Sequence, residues 1–513
     1  MCGIWFVEST LGLDKNELYK AFAALQHRGP DASRVQTIGA AMLGFHRLAI
    51  NDVTSSGDQP MSRRGHTFIC NGEIYNPKEL AELYDFDVES RSDCEVIPHL
   101  YDLLDGDAST LCNSLDGVFA CVIVASDGRV VAFRDKIGVR PLFYGKTSTG
   151  VMCFSSEIKG LVGICSNILE FPPGHMYCSQ SDAFFQWAKH GSLNTRVPVS
   201  LDTLRSTLVA SVKKRLSCDV PVGFFLSGGV DSSIVCAIAA SLSKDPIRTF
   251  SIGTGESPDL ECARTVSQHL GTIHTEVSFT EAEGINAIQE VISALESYDC
   301  TTVRASVPMY LLSKYVKENT DIKVLMSGEG ADELFGGYLY MHYAPSAKDF
   351  DNETRRLVQW VHKHDVLRAD RCVSAHGLEL RVPFFDRALV SYVEQIDPRA
   401  KMTRLEKMML RRAFHGMLPD SVLYRQKNGM SDAVGYSWVN SIRAMSNTLV
   451  DDDEYNALQD KYVKNCPANK EEAFYRRLYE QQFGNTDTLT HVWRPRWTDQ
   501  LDPSATLLDI HKR

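Results

Sequence analysis

A short apolar run, Pro221–Leu226 (PVGFFL), passes directly into Ser-Gly-Gly-Val-Asp-Ser-Ser and then into the helix-forming stretch Ser232–Ser243. Few backbone paths accommodate that succession. Glycines reach conformations closed to other residues and let neighbouring N–H groups converge, while a helix start adds the positive end of its dipole. The pattern predicts a strand, an anion-cradling turn and a helix. Further apolar runs at Ile247–Gly253, Ile273–Phe279 and Lys323–Met326 alternate with helical patterns, and a helix with a basic end, Leu201–Leu216, precedes them. Such alternation implies a doubly wound parallel sheet with helices on both faces. Ligands of open α/β sheets bind at the carboxyl ends of the strands. A second glycine-rich string, Ser327-Gly-Glu-Gly-Ala-Asp-Glu-Leu-Phe-Gly-Gly-Tyr338, also follows a strand pattern and should meet the first loop there. Beyond residue 340 the chain reads as mostly helical.

The chain to about residue 185 has another character. Met42–Ile50, Thr67–Cys70 and Met152–Ser155 read as strands. Val118–Ala125 and Arg129–Phe133 flank Asp127-Gly128, a two-residue hairpin signature. Helices are expected at Leu13–Gln26 and Cys94–Leu104. Strands with few interposed helices predict packed antiparallel sheets. A turn cluster, Phe171-Pro-Pro-Gly174, and a polar stretch, Trp187–Val199, mark a boundary near 190–200. A length of 513 residues also exceeds the roughly 250–300 that one core supports. Two domains are expected, 2–190 and 200–513: an α+β sandwich of antiparallel sheets, then an α/β doubly wound parallel-sheet domain with a helical C-terminal region.

Composition narrows the function classes. Apolar residues make up 44% and charged residues 23%, as in ordinary globular chains. A net charge of −11 argues against a general nucleic-acid surface but leaves room for local basic pockets. No run approaches the roughly 18 apolar residues of a membrane span, and Glu8 ends the first apolar run too early for a secretory signal. None of the 14 cysteines lies within four residues of another, so no C-x-x-C or zinc-knuckle spacing exists. The reading is a cytoplasmic chain with mostly buried, reduced thiols. Cys2 does not fit it.

A small second residue permits removal of Met1, which would place a thiol beside a free α-amine. Such an amine has an ordinary pKa of about 7.7–8.0 and accepts the thiol proton near neutrality. Downstream come Arg28-Gly29-Pro30-Asp31, Phe45-His46-Arg47-Leu48, Asn71-Gly72-Glu73-Ile74-Tyr75-Asn76 and Ser92-Asp93. In this order the motifs resemble the glutaminase domain of class II glutamine amidotransferases, over about residues 2–180. The resemblance implies an N-terminal-nucleophile (Ntn) hydrolase-type sandwich in which Cys2 attacks the side-chain amide of glutamine to form a thioester. It implies an oxyanion hole of the Asn71 side chain and the Gly72 N–H, with Arg47 on the glutamine carboxylate and Asp93, aided by Glu73, on its ammonium.

The S-G-G-x-D-S string, with no Walker A sequence anywhere, resembles the pyrophosphate loop of N-type ATP pyrophosphatases, which cleave ATP between the α and β phosphates. That resemblance implies ATP contacts from Leu226, Ser227, Gly228, Gly229, Asp231, Ser232, Ile252, Ser327 and Gly328, and Mg²⁺ ligation by Asp231 and Asp332. It further implies that Glu329 assists ammonia attack, that Thr301, Thr302 and Arg304 of the string Thr301–Ser306 bind aspartate, and that Lys427 neutralises phosphate charge. His376–Phe384 fits a further family segment without assignable roles.

Together the halves resemble glutamine-hydrolysing asparagine synthetases over about residues 2–440. The resemblance implies glutamine, aspartate and MgATP as substrates and β-aspartyl-AMP as intermediate, and leaves a homodimer open. A related amidotransferase acting on another carboxylate is the alternative. The chain beyond residue 440 carries no usable motif and looks short for the family.

Overall fold

Residues alternate sides along the first strand, β1 (Gly3–Val7). Ile4 and Phe6 enter one hydrophobic core, whereas Trp5 faces the other way, its ring 6.1 Å from Phe22 of helix α1 (Lys15–Ala23). A computed structural model describes residues 1–188, 196–255, 257–426, 436–484 and 489–498. Contacts divide it into two compact units: Met1–His190 with Cys218–Pro221 and Ser374–Glu379, and the remainder.

The first unit holds two six-stranded antiparallel sheets. β1 is central in one of them, between β3 (Ala41–Arg47) and β9 (Met152–Ser155), with β2 (Ala32–Ile38) outside β3. In the other, β5 (His66–Ile74) lies between the short edge strand β4 (Met61–Arg63) and β6 (Gly117–Val124), which turns through Gly128 into β7 (Val130–Arg134). Gly128 has φ +86°, as this tight turn requires. Between the sheets lie Ile4, Phe6, Leu43, Phe45, Ile69, Ala120, Val122 and Phe154. Phe68, Phe119 and Phe133 on the outer face of the second sheet pack with Val96, Ile97 and Leu100 of a helix spanning Val96–Leu103. On the outer face of the first sheet, a Cβ on Gly44 would come within 2.6 Å of the Phe22 ring. The layering is helix, sheet, sheet, helix.

β3 stops at Arg47, short of the expected Ile50. The next backbone groups turn elsewhere: the Leu48 N–H to Cys2 Sγ, and the Ala49 N–H to Asp31.

The second unit is built on a five-stranded sheet whose strands lie in the order Ile273–Ser278, Arg248–Gly253, Val222–Phe225, Val324–Met326 and Glu379–Arg381. Strands β13 (Val222–Phe225), β14 (Arg248–Gly253), β15 (Ile273–Ser278) and β16 (Val324–Met326) run parallel. β17 (Glu379–Arg381), which the sequence did not suggest, adds to the β16 edge. The glycine-rich turn passes from β13 into the helix Val230–Leu242, which starts two residues earlier than expected and so carries Asp231 in its first turn. Helices Ala347–Trp360, Asp365–Ser374, Arg387–Gln395, Tyr436–Leu449, Asp452–Lys461 and Lys470–Phe483 fill the C-terminal part. Among the described residues no helix is long and apolar enough to cross a membrane. None of the cysteines forms a disulfide. Cys466 is exposed, against the expectation of burial.

Candidate active sites

In the first unit, Cys2 leads into β1, where β1 and β3 pair Gly3 with His46. Its carbonyl accepts the Arg28 Nε–H at 3.0 Å, and Arg28 is anchored in turn by Glu157 at 2.6 Å. Arg28 of the R-G-P-D string thus fixes the backbone of the cysteine. A Cβ on Gly29 would lie 2.2 Å from the His46 carbonyl oxygen, so only glycine permits this approach. The Cys2 thiol lies 3.5 Å from the Leu48 N–H and 3.7 Å from the Leu48 carbonyl. Burial pushes its pKa up, against the lowering effect of the neighbouring chain-terminal amine and the Leu48 N–H. With Met1 in place the Cys2 nitrogen is an amide. The Met1 amine is buried, donates to the Leu378 carbonyl at 3.0 Å, and is lowered to about 5 by burial.

Asn71 and Gly72 lie on β5. The Asn71 Nδ2 is buried with no hydrogen-bond partner among the described residues, which marks a donor awaiting an acceptor. Gly72 stands opposite Phe119. Phe119 spends both backbone groups on Asp135, away from β5, so this is a non-hydrogen-bonded pair and Gly72 turns its N–H to the other side. On that side Cys70 N–H meets Gln59 and Ile74 N–H meets Asp93 Oδ2 at 2.7 Å. A Cβ on Gly72 would come within 2.9 Å of the Val118 carbonyl.

Asp93, Glu73 and Arg47 are joined through a residue the sequence reading missed. Asn51 Nδ2 donates to Glu73 at 2.7 Å and to Asp93 at 3.2 Å, and its carbonyl accepts from Arg47 at 3.4 Å. Burial raises the Asp93 pKa, partly offset by the Ile74 N–H and Asn51. The buried Arg47 guanidinium also grips Asp58 at 2.6 Å and the carbonyls of Thr54 and Asp52. Arg47 therefore organises the loop after β3.

In the second unit, the Ser227 loop is held by Ser232, whose Oγ lies 3.0 Å from Ser227 Oγ and accepts the Ser227 N–H at 3.2 Å. Gly228 has φ +75°, and a Cβ there would lie 2.6 Å from Cys262. A Cβ on Gly229 would meet nothing closer than the Ser227 Oγ at 3.4 Å, in line with an open cradle. Leu226 donates its N–H to Phe250 at 2.8 Å, and Ile252 follows on β14. The second loop comes close as expected: a Cβ on Gly328 would lie 2.6 Å from the Ser232 nitrogen. Buried Ser327 caps the Glu329 N–H at 3.3 Å, and Glu329 pairs with Arg368 at 2.9 Å.

Asp231 and Asp332 converge, and between them stands Lys407, which sequence reasoning missed. Its Nζ lies 2.5 Å from Asp231 Oδ2 and 2.6 Å from Asp332 Oδ1. Burial opposes the lysine charge, but the two carboxylates outweigh it and raise its pKa. Among the described residues Asp231 Oδ1 is buried without a hydrogen-bond partner. Two convergent carboxylates, one with an orphaned oxygen, fit a hard divalent ion that takes its remaining ligands from phosphates and water. Among the described residues no cluster of three or more His, Cys, Asp or Glu forms a self-sufficient metal cage.

The Thr301–Ser306 string opens the helix Cys300–Asn319. Thr301 Oγ1 is buried and without a partner among the described residues. The other two expected aspartate contacts are committed elsewhere. Thr302 donates both N–H and hydroxyl to Asp299, at 2.9 and 2.7 Å, as a helix cap. Arg304 forms a buried bidentate pair with Glu471, at 2.7 and 2.6 Å. An arginine so matched has no fork left for a substrate carboxylate in this arrangement. Lys427 lies outside the described residues. Its neighbour Arg425 pairs with Asp259 at 3.0 Å, where burial raises the carboxyl to about 6.

Lys407, Asn51 and Glu471 lacked any local signal. Lys407 meets Asp231 across 176 residues of sequence. The Gly336-Gly337 doublet was the nearest hint, since a Cβ on Gly337 would overlap Lys407 Cε at 2.0 Å.

A glutamine amidotransferase domain model matches residues 1–179, and an asparagine synthase model matches 203–356 and 344–501. The chain is 38% identical to the glutamine-hydrolysing asparagine synthetase of Zea mays, covering 100% of this chain and 94% of the relative. It is 39% identical to that of Mus musculus (100% and 99%) and 41% identical to that of Sandersonia aurantiaca (97% and 98%). The Cys2 and Asn71 site and the Asp231 loop thus lie within the two matched regions, and the chain belongs to the glutamine-hydrolysing asparagine synthetase family.

Proposed function

We propose that the protein is a cytoplasmic asparagine synthetase that hydrolyses glutamine to glutamate and ammonia and uses the ammonia, with MgATP, to convert aspartate through β-aspartyl-AMP to asparagine, AMP and pyrophosphate. The observation that carries the reading is the full-length likeness to glutamine-hydrolysing asparagine synthetases.

In the first unit, loss of Met1 frees the Cys2 α-amine. An α-amine has an ordinary pKa of about 7.7–8.0, so near neutrality a share of it is unprotonated and can accept the thiol proton. The thiolate attacks the glutamine amide carbon. Negative charge develops on the carbonyl oxygen, and Asn71 Nδ2 with the Gly72 N–H receives it. Preorganised donors of this kind contribute about 2.7–4 kcal/mol each. Ammonia leaves as the thioester forms, and water then releases glutamate. Asp93 and Glu73, bridged by Asn51, bind the substrate ammonium, and Arg47 supplies the positive charge for its carboxylate.

In the second unit, the Ser227–Ser232 loop holds the triphosphate by backbone N–H groups and the helix N-terminus. Mg²⁺ would be held by Asp231 and Asp332 and would neutralise phosphate charge. The aspartate β-carboxylate attacks the α-phosphate and displaces pyrophosphate. Thr301 offers its unpaired hydroxyl to aspartate, with Arg304 acting from behind as a fixed support. Glu329 takes a proton as ammonia attacks the acyl-adenylate. Incubation with amide-¹⁵N-glutamine, aspartate, ATP and Mg²⁺ should yield ¹⁵N-asparagine and AMP in equal amounts. Absence of asparagine from this mixture would favour the alternative, amidation of a different carboxylate.

A further inference from the structure

A lysine ammonium occupies the place where the two carboxylates converge. Lys407 is buried, with side-chain exposure of 1%, and its backbone sits at φ +59°. A non-glycine residue there is strained and persists only where its surroundings enforce it. The space for its side chain depends on Gly337, where a Cβ would come 2.0 Å from Lys407 Cε and 2.1 Å from Asp332 Oδ1. Strained backbone, a cleared path and two short ion pairs aim one ammonium at the junction of the two loops. Asp231 follows β13 and Asp332 follows β16, so the ammonium ties together both loops that must receive the triphosphate.

We propose that Lys407 is a built-in counter-ion that holds Asp231 and Asp332 in place of the divalent cation until the nucleotide arrives. This rests on the assignment of those carboxylates to MgATP. Both cations seek the same oxygens, and two positive charges within about 4 Å repel strongly in a protein interior. A free divalent ion therefore meets a site already neutralised. The triphosphate supplies the negative charge that lets the ion and the ammonium coexist, with Lys407 turning from a carboxylate to a phosphate oxygen. Metal binding is thereby made conditional on nucleotide.

Mn²⁺ is the probe, followed by electron paramagnetic resonance and by Tm. Wild-type protein should bind Mn²⁺ weakly alone and at least about tenfold more tightly with a non-hydrolysable ATP analogue. Lys407→Met should bind Mn²⁺ at least about tenfold more tightly than wild type without nucleotide, and the added Asp332→Asn should abolish that gain. Lys407→Arg, which keeps the charge, should show no gain. Tight Mn²⁺ binding by wild type without nucleotide overturns the inference even if Lys407→Met does not fold, and so does an unchanged affinity in a folded Lys407→Met. In both cases the metal assignment survives. Absence of Mn²⁺ binding even with the analogue overturns the metal assignment and the inference with it.

Discussion

Arg304 and Glu471 meet as two parallel hydrogen bonds, Nε to Oε1 at 2.7 Å and Nη2 to Oε2 at 2.6 Å, with both side chains excluded from solvent. Tyr475 adds a hydrogen bond to Glu471 at 2.9 Å. The helix Lys470–Phe483 thereby locks the first turns of the helix that carries Thr301. Removing one partner leaves a buried charge unpaired, which costs about 3–5 kcal/mol. Glu471→Ala should lower the urea midpoint of the second unit accordingly and raise the KM for aspartate. An unchanged midpoint would show that Arg304 is free to find another partner.

Asn71 contributes a donor that the resting structure leaves unused. Asn71→Ala should lower kcat for glutamine hydrolysis by about 10²–10³, with little change in folding because no bond is lost. Synthesis from added ammonia should persist. Steady-state kinetics with each nitrogen source checks both halves of this expectation.

Much of this was legible because the signals are local. The Ser227 loop, the hairpin at Gly128 and the parallel strands of the second unit each follow from glycines and apolar runs adjacent in sequence. Several strands carry weaker signals, β2 and β17 among them: β2 (ASRVQTI) is largely polar, and β17 is only three residues long. The roles of Arg304 and Lys407 were illegible for a different reason. A motif names the residue type near a substrate, but the partner that holds it comes from far along the chain. Glu471 lies 167 residues from Arg304, in a region without recognisable motifs. Asn51 stands four residues beyond Arg47, where an asparagine in a loop reads as a turn former.

Gly337→Ala should cripple synthesis. The added methyl would overlap both Lys407 Cε and Asp332 Oδ1, at 2.0 and 2.1 Å. ATP-dependent asparagine formation should fall from either nitrogen source while glutamine hydrolysis continues. Full synthetic activity in this variant would show that Lys407 and Asp332 move apart at no cost.

His364 introduces acid sensitivity. Its Nε2 lies 3.0 Å from His491 Nδ1, and burial pulls its pKa down to about 3. Unfolding returns it to its ordinary value of about 6.5. Between those values the unfolded chain binds a proton that the folded one excludes. Stability should therefore fall as pH drops below 6.5, by up to about 1.4 kcal/mol per pH unit for this imidazole. Urea midpoints at about pH 7.5 and 5.5 should diverge less in His364→Gln than in wild type.

Cys2→Ala tests the central claim of two separable sites most directly. Asparagine should be measured with aspartate, ATP and Mg²⁺, first with glutamine and then with ammonium chloride as nitrogen source. The account predicts no glutamine-dependent asparagine and undiminished ammonia-dependent asparagine. Glutamine-dependent synthesis at the wild-type rate would contradict it.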